Sequence, residues 1–301
     1  RTMRTPPHFM SALITPFDDN GDIIVEAHHH NLKLQASRGV TGFDLGGSTG
    51  EGPYLEAGER ARLAAEARIE LGADPFLMCG IQAQSVRQAI IQVDEIAAAG
   101  ADAALVMTPT SLARGNHAAI HYFFEAVADA AALPIFLYSV PAVTGYDLPS
   151  EHAAALSEHP NIVGMKDSAG RPLHTTHIVQ GAVDDFLIYG GSSSALTQGI
   201  AAGAVGAITA SSNYLPELVS AVVLTALESV SRAEPLQAQL TAATKGIEGY
   251  GVVGTKAAAG AAGLWTGIPR KPLQPVPRTE LAKVNQIVTA AREQLGELVA
   301  G

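Results

Sequence analysis

Cysteine is almost absent from this chain of 301 residues, which contains Cys79 alone. A single cysteine excludes an internal disulfide framework and a cysteine-based zinc site, and it fits a reducing compartment. We expect Cys79 to be a buried apolar residue on a strand. Charged residues make up 16% of the chain and hydrophobic residues 47%, so the composition is that of a globular protein with a large core and not of a disordered chain.

Basic clusters and long apolar runs are missing as well. The formal net charge is -10 and lysine and arginine are nowhere clustered, which argues against nucleic acid or an anionic membrane as a partner. No uninterrupted apolar stretch reaches the length of a transmembrane helix, and the first residues lack the apolar segment of a signal peptide. We therefore expect a cytoplasmic protein without a membrane partner.

Short apolar runs alternate with longer, alanine-rich amphipathic segments, the pattern of βα units around a parallel sheet. Eight runs qualify as strands: 11–16, 42–46, 75–80, 103–108, 135–139, 162–166, 186–190 and 206–210. Eight such units predict an α/β fold, a (β/α)8 TIM barrel over residues 1–232. The chain then reads as helix only, at 216–231, 234–250, 252–264 and 279–298, so residues 233–301 are predicted to form a C-terminal helical extension packed on the barrel.

Side chains at the C-terminal ends of barrel strands face the active site. Lys166 is the only lysine at such an end, and it closes the apolar run 162–166. Burial there would lower the pKa of its amine and make it a nucleophile toward a ketone, so the position predicts a Schiff base. Tyr138 closes a second apolar run, and Ser48 and Thr49 follow the second strand.

Glycine-rich loops follow two of the strands. Glycines 46, 47, 50 and 52 surround Ser48 and Thr49, and we predict that their backbone N–H groups and the two hydroxyls bind a carboxylate. This loop has neither the Gly-Lys-Ser/Thr of a P-loop nor the spacing of a dinucleotide fingerprint. The second loop contains Gly191 and Ser192, at the strand end where barrels often bind phosphate or carboxylate groups.

The three consecutive histidines 28–30 invite comparison with a metal site. Neighbouring residues on a helix point about 100° apart and cannot converge on one ion. We therefore expect a solvated helix face, and no metal.

These segments resemble the dihydrodipicolinate synthase/N-acetylneuraminate lyase family of class I pyruvate-dependent aldolases. The similarity spans nearly the whole chain and lies in Leu-Ile-Thr-Pro-Phe at 13–17, Gly-Ser-Thr-Gly-Glu at 47–51, Tyr-Ser-Val-Pro-Ala-Val-Thr-Gly at 138–145 and Gly-Met-Lys-Asp at 164–167. The resemblance implies a barrel with a helical extension, assembled as a homotetramer, a dimer of dimers. It also implies an imine between Lys166 and a 2-oxo acid such as pyruvate, proton transfer by Tyr138, carboxylate binding by Ser48 and Thr49, and the backbone carbonyl of Ile208 near the lysine.

Three positions depart from the family pattern. Val143 stands where the synthases place an arginine for the second carboxylate, Thr110-Ser111 replaces a tyrosine that crosses a subunit interface, and Ser193-Ser194 replaces the Asp-Glu pair of sialate lyases. These departures argue against aspartate semialdehyde and sialic acid as substrates. They favour a lyase that cleaves the C3–C4 bond of a 4-hydroxy-2-oxo acid, such as 4-hydroxy-2-oxoglutarate or a 2-keto-3-deoxy sugar acid, to pyruvate and an aldehyde.

In the expected mechanism Lys166 attacks the C2 ketone, and Tyr138 acts as the base with Thr49 as a relay. The iminium takes up the electron pair, so no cofactor is expected. The alternatives are condensation of pyruvate with aspartate semialdehyde, a hydratase-aldolase or dehydratase of the same family, a catalytically idle binding protein on the same barrel, and a metal-dependent class II aldolase.

Overall fold

A closed barrel of eight parallel strands forms the centre of the molecule. The computed structural model describes residues 3–300, with side chains as far as residue 295. Each strand pairs with its neighbours in the chain, and the first pairs with the last. The predicted TIM barrel is therefore confirmed. The strands are β1 (Phe9–Ala12), β2 (Gly42–Leu45), β3 (Phe76–Ile81), β4 (Ala103–Met107), β5 (Ile135–Ser139), β6 (Ile162–Asp167), β7 (Leu187–Gly190) and β8 (Gly206–Thr209).

Helices surround the barrel and continue beyond it. They are α1 (Val25–Ser37), α2 (Glu59–Leu71), α3 (Val86–Ala98), α4 (His117–Ala130), α5 (Pro141–Thr144), α6 (Ser150–Leu156), α7 (Pro172–Gly181), α8 (Leu196–Ala201), α9 (Pro216–Glu228), α10 (Val230–Glu248), α11 (Gly251–Ala261) and α12 (Arg278–Ala300). After β8, the described part of the chain contains helices and connecting loops without a further strand, as the sequence predicts. None of the described helices is both long and apolar enough to span a bilayer.

Two predicted boundaries, the end of the first strand and the start of α10, differ from the structure by four residues. The first strand is Phe9–Ala12 and not 11–16, because the backbone of Phe9 already lies beside Ala207 of β8. Helix α10 begins at Val230, four residues before the predicted start, and contains Pro235. A proline removes one helical hydrogen bond, and the buried residues Ala233 and Leu240 hold the segment against its neighbours despite that loss. The boundary predicted after residue 232 falls inside this helix, and the division into 1–232 and 233–301 stays a prediction.

Strand residues alternate between two apolar layers, as the period of two requires. The inward side chains form one buried cluster: Met10, Ala12, Phe76, Met78, Ala103, Leu105, Met107, Phe136, Tyr138, Val140, Tyr189 and Ile208. The outward ones pack against the helices, and Cys79 of β3 is among them, buried as predicted. The barrel is therefore filled by side chains, as is usual for this fold, whose active sites lie at the C-terminal mouth.

The histidines 28–30 do not form the solvated face that the sequence predicts. His28 is buried, its Nε2 donates to the Leu63 carbonyl oxygen at 3.1 Å, and burial lowers its pKa to about 4. His29 lies within 3.1 Å of carboxylates of α2, and His30 stacks on Trp265 at 4.1 Å between ring centroids. The prediction is wrong because α1 packs against α2 on one side and the C-terminal extension on the other, which buries His28 and partly covers His29 and His30.

Candidate active site

Lys166 extends into the barrel near the end of β6. It stands in register with Tyr138 of β5 and with Tyr189 of β7, so three inward side chains lie at one level of the sheet. Lys166 is only 3% exposed. Its amine is 4.6 Å from the centre of the Tyr138 ring. The two strand ends singled out from the sequence thus meet in space.

The hydroxyl of Tyr138 contacts Ser48 and not Thr49. The two oxygen atoms, Tyr138 Oη and Ser48 Oγ, are 2.7 Å apart, and either can donate. The predicted relay through Thr49 is therefore corrected, since the loop after β2 turns the neighbouring hydroxyl toward the phenol. Thr49 is itself buried in the same loop. A Tyr138–Ser48 pair is the proton path that this geometry offers.

Asp44 is a site residue that the sequence analysis missed. It lies on β2, across the barrel from β6, and its Oδ2 accepts a hydrogen bond from Lys166 Nζ at 3.1 Å. The side chain is fully buried, and Oδ1 has no hydrogen-bond partner among the described residues. The alternation of β2 contains the signal that could have revealed it: Phe43 and Leu45 face the helices, so the residue between them faces the barrel interior.

The carboxylate of Asp44 changes the expected charge state of the amine. Burial on its own lowers the pKa of Lys166, but the Tyr138 oxygen and the Asp44 carboxylate raise it by more, so the pKa lies above its ordinary value. The predicted lowering by desolvation is therefore wrong for the open site. The Lys166 amine is therefore an ammonium paired with Asp44. The ammonium must lose a proton before the nitrogen can attack a ketone.

The glycine loop after β2 is packed tightly against the pair. A methyl group at Gly47 would come within 2.6 Å of Asp44 Oδ2, and one at Gly52 would overlap the Gly46 carbonyl oxygen. Glycine is required at both positions for that reason. The N–H groups of Glu51 and Gly52 already donate to carbonyl oxygens within the loop, so the N–H of Gly52 is not available to a ligand as the sequence analysis expected. Carboxylate binding at the start of the loop, by Gly47, Ser48 and Thr49, stays a prediction.

Residues of the C-terminal extension bind the glycine loop through Glu51. Glu51 has a left-handed backbone, with φ of 57°, and its side chain is buried. One carboxylate oxygen accepts from Lys256 Nζ of α11, and the other accepts from the backbone N–H of Arg270 at 2.7 Å. Residues from beyond the barrel thus fix the position of Ser48 and Thr49.

Val143 lies on α5, directly after the strand that bears Tyr138. Its side chain is half exposed and lines a cavity of about 530 Å³ together with Gln84, Met107 and Thr110. Thr110 contacts Gln84 through both its hydroxyl and its backbone N–H, and Ser111 donates its N–H to the same amide. Neither residue contacts the Tyr138–Ser48 pair.

The remaining predicted residues lie on β7 and β8. The Gly191 N–H donates to the Asp167 carbonyl oxygen at 2.8 Å, and Ser192 Oγ lies 3.3 Å from Ser194 Oγ. This loop packs on the turn that follows Lys166, since a methyl group at Gly170 would come within 2.9 Å of Ser192 Oγ. Ile208 belongs to the same interior cluster as Tyr138. His, Cys, Asp and Glu side chains of the described residues form no group of three that could hold a metal ion.

Comparisons with known proteins agree with this geometry. A model of the dihydrodipicolinate synthetase family matches residues 6–291. A 4-hydroxy-tetrahydrodipicolinate synthase of Xanthomonas campestris is 36% identical over 207 residues, which cover 69% of this chain and 68% of that protein.

Solved structures extend the similarity to the whole fold. A 4-hydroxy-tetrahydrodipicolinate synthase from Methylacidiphilum fumariolicum superposes with a TM-score of 0.91 at 27% identity, over 97% of this chain and 98% of that one. The chloride-inhibited dihydrodipicolinate synthase from Acinetobacter baumannii, solved with pyruvate, gives 0.89 at 26%, over 95% and 99%. The chain belongs to the dihydrodipicolinate synthetase family, and it is an enzyme of the class I lyase type, whose members form a Schiff base with pyruvate.

Proposed function

We propose that the protein cleaves or forms the C3–C4 bond of a 4-hydroxy-2-oxo acid through an imine on Lys166, with pyruvate as one of the two fragments. The observation that carries this proposal is the buried amine of Lys166 beside the Tyr138–Ser48 pair. The pyruvate in the related Acinetobacter structure supports the identity of that fragment.

The steps follow from the positions of these groups. The carboxylate of the 2-oxo acid binds at Gly47, Ser48 and Thr49, and Lys166 attacks C2. Tyr138 then takes the proton of the C4 hydroxyl, the C3–C4 bond breaks, and the electron pair flows into the protonated imine. Ser48 passes the proton on. The resemblance to the family also implies the backbone carbonyl of Ile208 near the imine nitrogen, and the reaction as proposed requires neither cofactor nor metal.

The experiment is reductive trapping. The protein is incubated with pyruvate and borohydride, and the modified peptide is identified by mass. We expect the adduct on Lys166. Lys256 is an internal control, because it is equally buried at 3% exposure but lies under the glycine loop and not at the barrel mouth. An adduct on Lys256, or none on the folded protein, contradicts the proposal.

The aldehyde half of the substrate is proposed from Val143. An arginine–carboxylate pair is bidentate and charge-assisted, so its absence reduces recognition of a second carboxylate there by a factor of about 10–200. Aldehydes with hydroxyl groups or an apolar chain are better partners, and the Ser192-Ser193-Ser194 loop supplies neutral donors to them.

The second candidate is condensation of pyruvate with aspartate semialdehyde. The activity for which the Xanthomonas relative is named favours it. One experiment distinguishes the two candidates. It compares kcat/KM for condensation with aspartate semialdehyde with kcat/KM for cleavage of 4-hydroxy-2-oxoglutarate and of 2-keto-3-deoxygluconate. A kcat/KM tenfold higher for the semialdehyde assigns the protein to the synthases, and the opposite ratio assigns it to the lyases.

We also propose a cytoplasmic homotetramer, a dimer of dimers. Apolar side chains exposed on the single chain support further association, among them Leu112 at full exposure, Ile91 and Val143. Sedimentation of the purified protein tests this, and a monomer at micromolar concentration contradicts it.

A further inference from the structure

We infer that Asp44 is the acid–base partner of Lys166 during formation and hydrolysis of the imine, a catalytic role separate from that of the Tyr138–Ser48 pair. The inference rests on the proposed Schiff-base chemistry. It starts from one distance: Asp44 Oδ2 and Lys166 Nζ are 3.1 Å apart, within the range over which a general base can take a proton.

Asp44 is better placed for this proton than the phenol. Asp44 Oδ2 is hydrogen-bonded to the amine, whereas the hydroxyl of Tyr138 is hydrogen-bonded to Ser48. In a dry interior the neutral amine–acid pair competes with the ion pair, because both charges then escape their desolvation cost. A substrate that enters the barrel mouth and expels water therefore favours transfer of the proton to Asp44.

The second oxygen of Asp44 is positioned for the other half of the reaction. Oδ1 is buried and has no partner among the described residues. It lies directly under the start of the glycine loop, since a methyl group at Gly47 would come within 2.9 Å of it. This is where the substrate binds in the proposed function, so Oδ1 can meet the oxygen that must leave C2.

The proton balance closes within the pair. Lys166 ammonium gives one proton to Asp44, and the neutral amine forms the C–N bond to C2 while the carbonyl oxygen becomes the carbinolamine hydroxyl with a proton from the nitrogen. Asp44 then returns its proton to that hydroxyl, the C–O bond breaks, and water leaves. A cation and a carboxylate are present at the start and at the end, so no proton has to come from solvent.

The test separates imine formation from carbon–carbon cleavage. Asp44→Asn keeps the size of the side chain but cannot exchange the proton. The rate of the pyruvate-dependent borohydride adduct, measured in single turnovers, should fall by about 10²–10⁴, the range for a general acid–base group. Asp102→Asn is the matched control, because Asp102 is a paired carboxylate at the opposite end of the barrel and contacts Arg68. It should trap pyruvate at the wild-type rate.

The pH profile distinguishes chemistry from simple positioning. The titratable groups on the strands around the Lys166 amine are Asp44, Tyr138 and Tyr189, and the Tyr189 hydroxyl donates to the Pro7 carbonyl oxygen. Without the carboxylate, the amine loses its proton more easily, and the acid limb of the trapping rate should move down by about 1–3 pH units. A residue that only packs against the amine leaves this limb in place, and one that acts by its charge alone moves the limb without lowering the trapping rate on the plateau above it.

Two outcomes overturn the inference. One is a folded Asp44→Asn protein that traps pyruvate at the wild-type rate, and the other is an acid limb that does not move. If Asp44→Asn does not fold, Asp44→Ala gives the same measurement, because it removes the charge and leaves more room under Gly47. Failure of the wild-type protein to trap pyruvate is a different result, and it contradicts the proposed function itself.

Discussion

Replacement of Lys166 by methionine is expected to destabilise the fold, because it leaves the carboxylate of Asp44 buried without a partner. The two charges are 3.1 Å apart in the barrel interior. Their attraction is about 5 kcal/mol at an effective dielectric constant of roughly 20. Breaking such a pair from one side costs about 3–5 kcal/mol.

The cost of protonating the unpaired carboxylate sets an independent upper limit on this destabilisation, and the two values agree. A carboxyl group with an ordinary pKa near 3.9 costs about 4 kcal/mol to protonate at pH 7, and no larger penalty can accumulate because the group takes up a proton instead. The cost of protonation falls as the pH falls, so the deficit of the Lys166→Met protein should shrink to about 1–2 kcal/mol at pH 5. For a chain of this size, the deficit at pH 7 corresponds to a loss of roughly 5–10 °C in Tm.

Thermal unfolding followed by circular dichroism measures the effect. The double variant Lys166→Met/Asp44→Asn removes both charges and should recover most of the loss, which makes the pair a double-mutant cycle. Lys283→Met is the control, because Lys283 pairs with Glu280 on an exposed helix face and its loss should leave Tm nearly unchanged. An unchanged Tm for Lys166→Met, or no recovery in the double variant, refutes a buried charge pair.

Two further predictions concern Tyr138 and His28. Tyr138→Phe removes the hydroxyl bonded to Ser48, so it should lower kcat for cleavage by about 10²–10⁴ while pyruvate trapping continues; activity within a few-fold of wild type would assign the relay to another group. The pKa of His28 is about 4 in the folded protein and ordinary when unfolded, so the unfolded chain binds the proton first and stability should fall by about 3 kcal/mol between pH 6.5 and 4. The His28→Leu protein should lose that part of the slope in pH-dependent unfolding by urea, and an identical slope in both proteins would contradict the burial of a neutral imidazole.

Particular residues show how far the sequence could predict the site. Lys166 and Tyr138 each end a short apolar run, and a parallel barrel brings strand ends together at one rim, so their proximity follows from the order of the elements alone. Ser48 and Thr49 lie next to each other in a loop, where no period fixes the direction of a side chain. The sequence therefore located the hydroxyl partner of Tyr138 to within one residue, and the folded loop selected Ser48.

The three histidines of α1 show a second limit of prediction from the sequence. The spacing of 28–30 correctly excludes convergence on one ion, because that argument needs only the geometry of a single helix. It does not tell what covers each of the three faces. α2 and the extension cover them in the structure, and His28 becomes a neutral core residue.

By itself, the sequence determined the number and order of the strands, the helical extension and the position of the candidate nucleophile Lys166, because periodicity and the ends of apolar runs are local properties of the chain. Only the tertiary structure decided the electrostatics of the site. Asp44 and Lys166 are 122 positions apart and meet through closure of the barrel. The direction of a pKa shift depends on the distance between such groups, and that distance exists only in the folded protein.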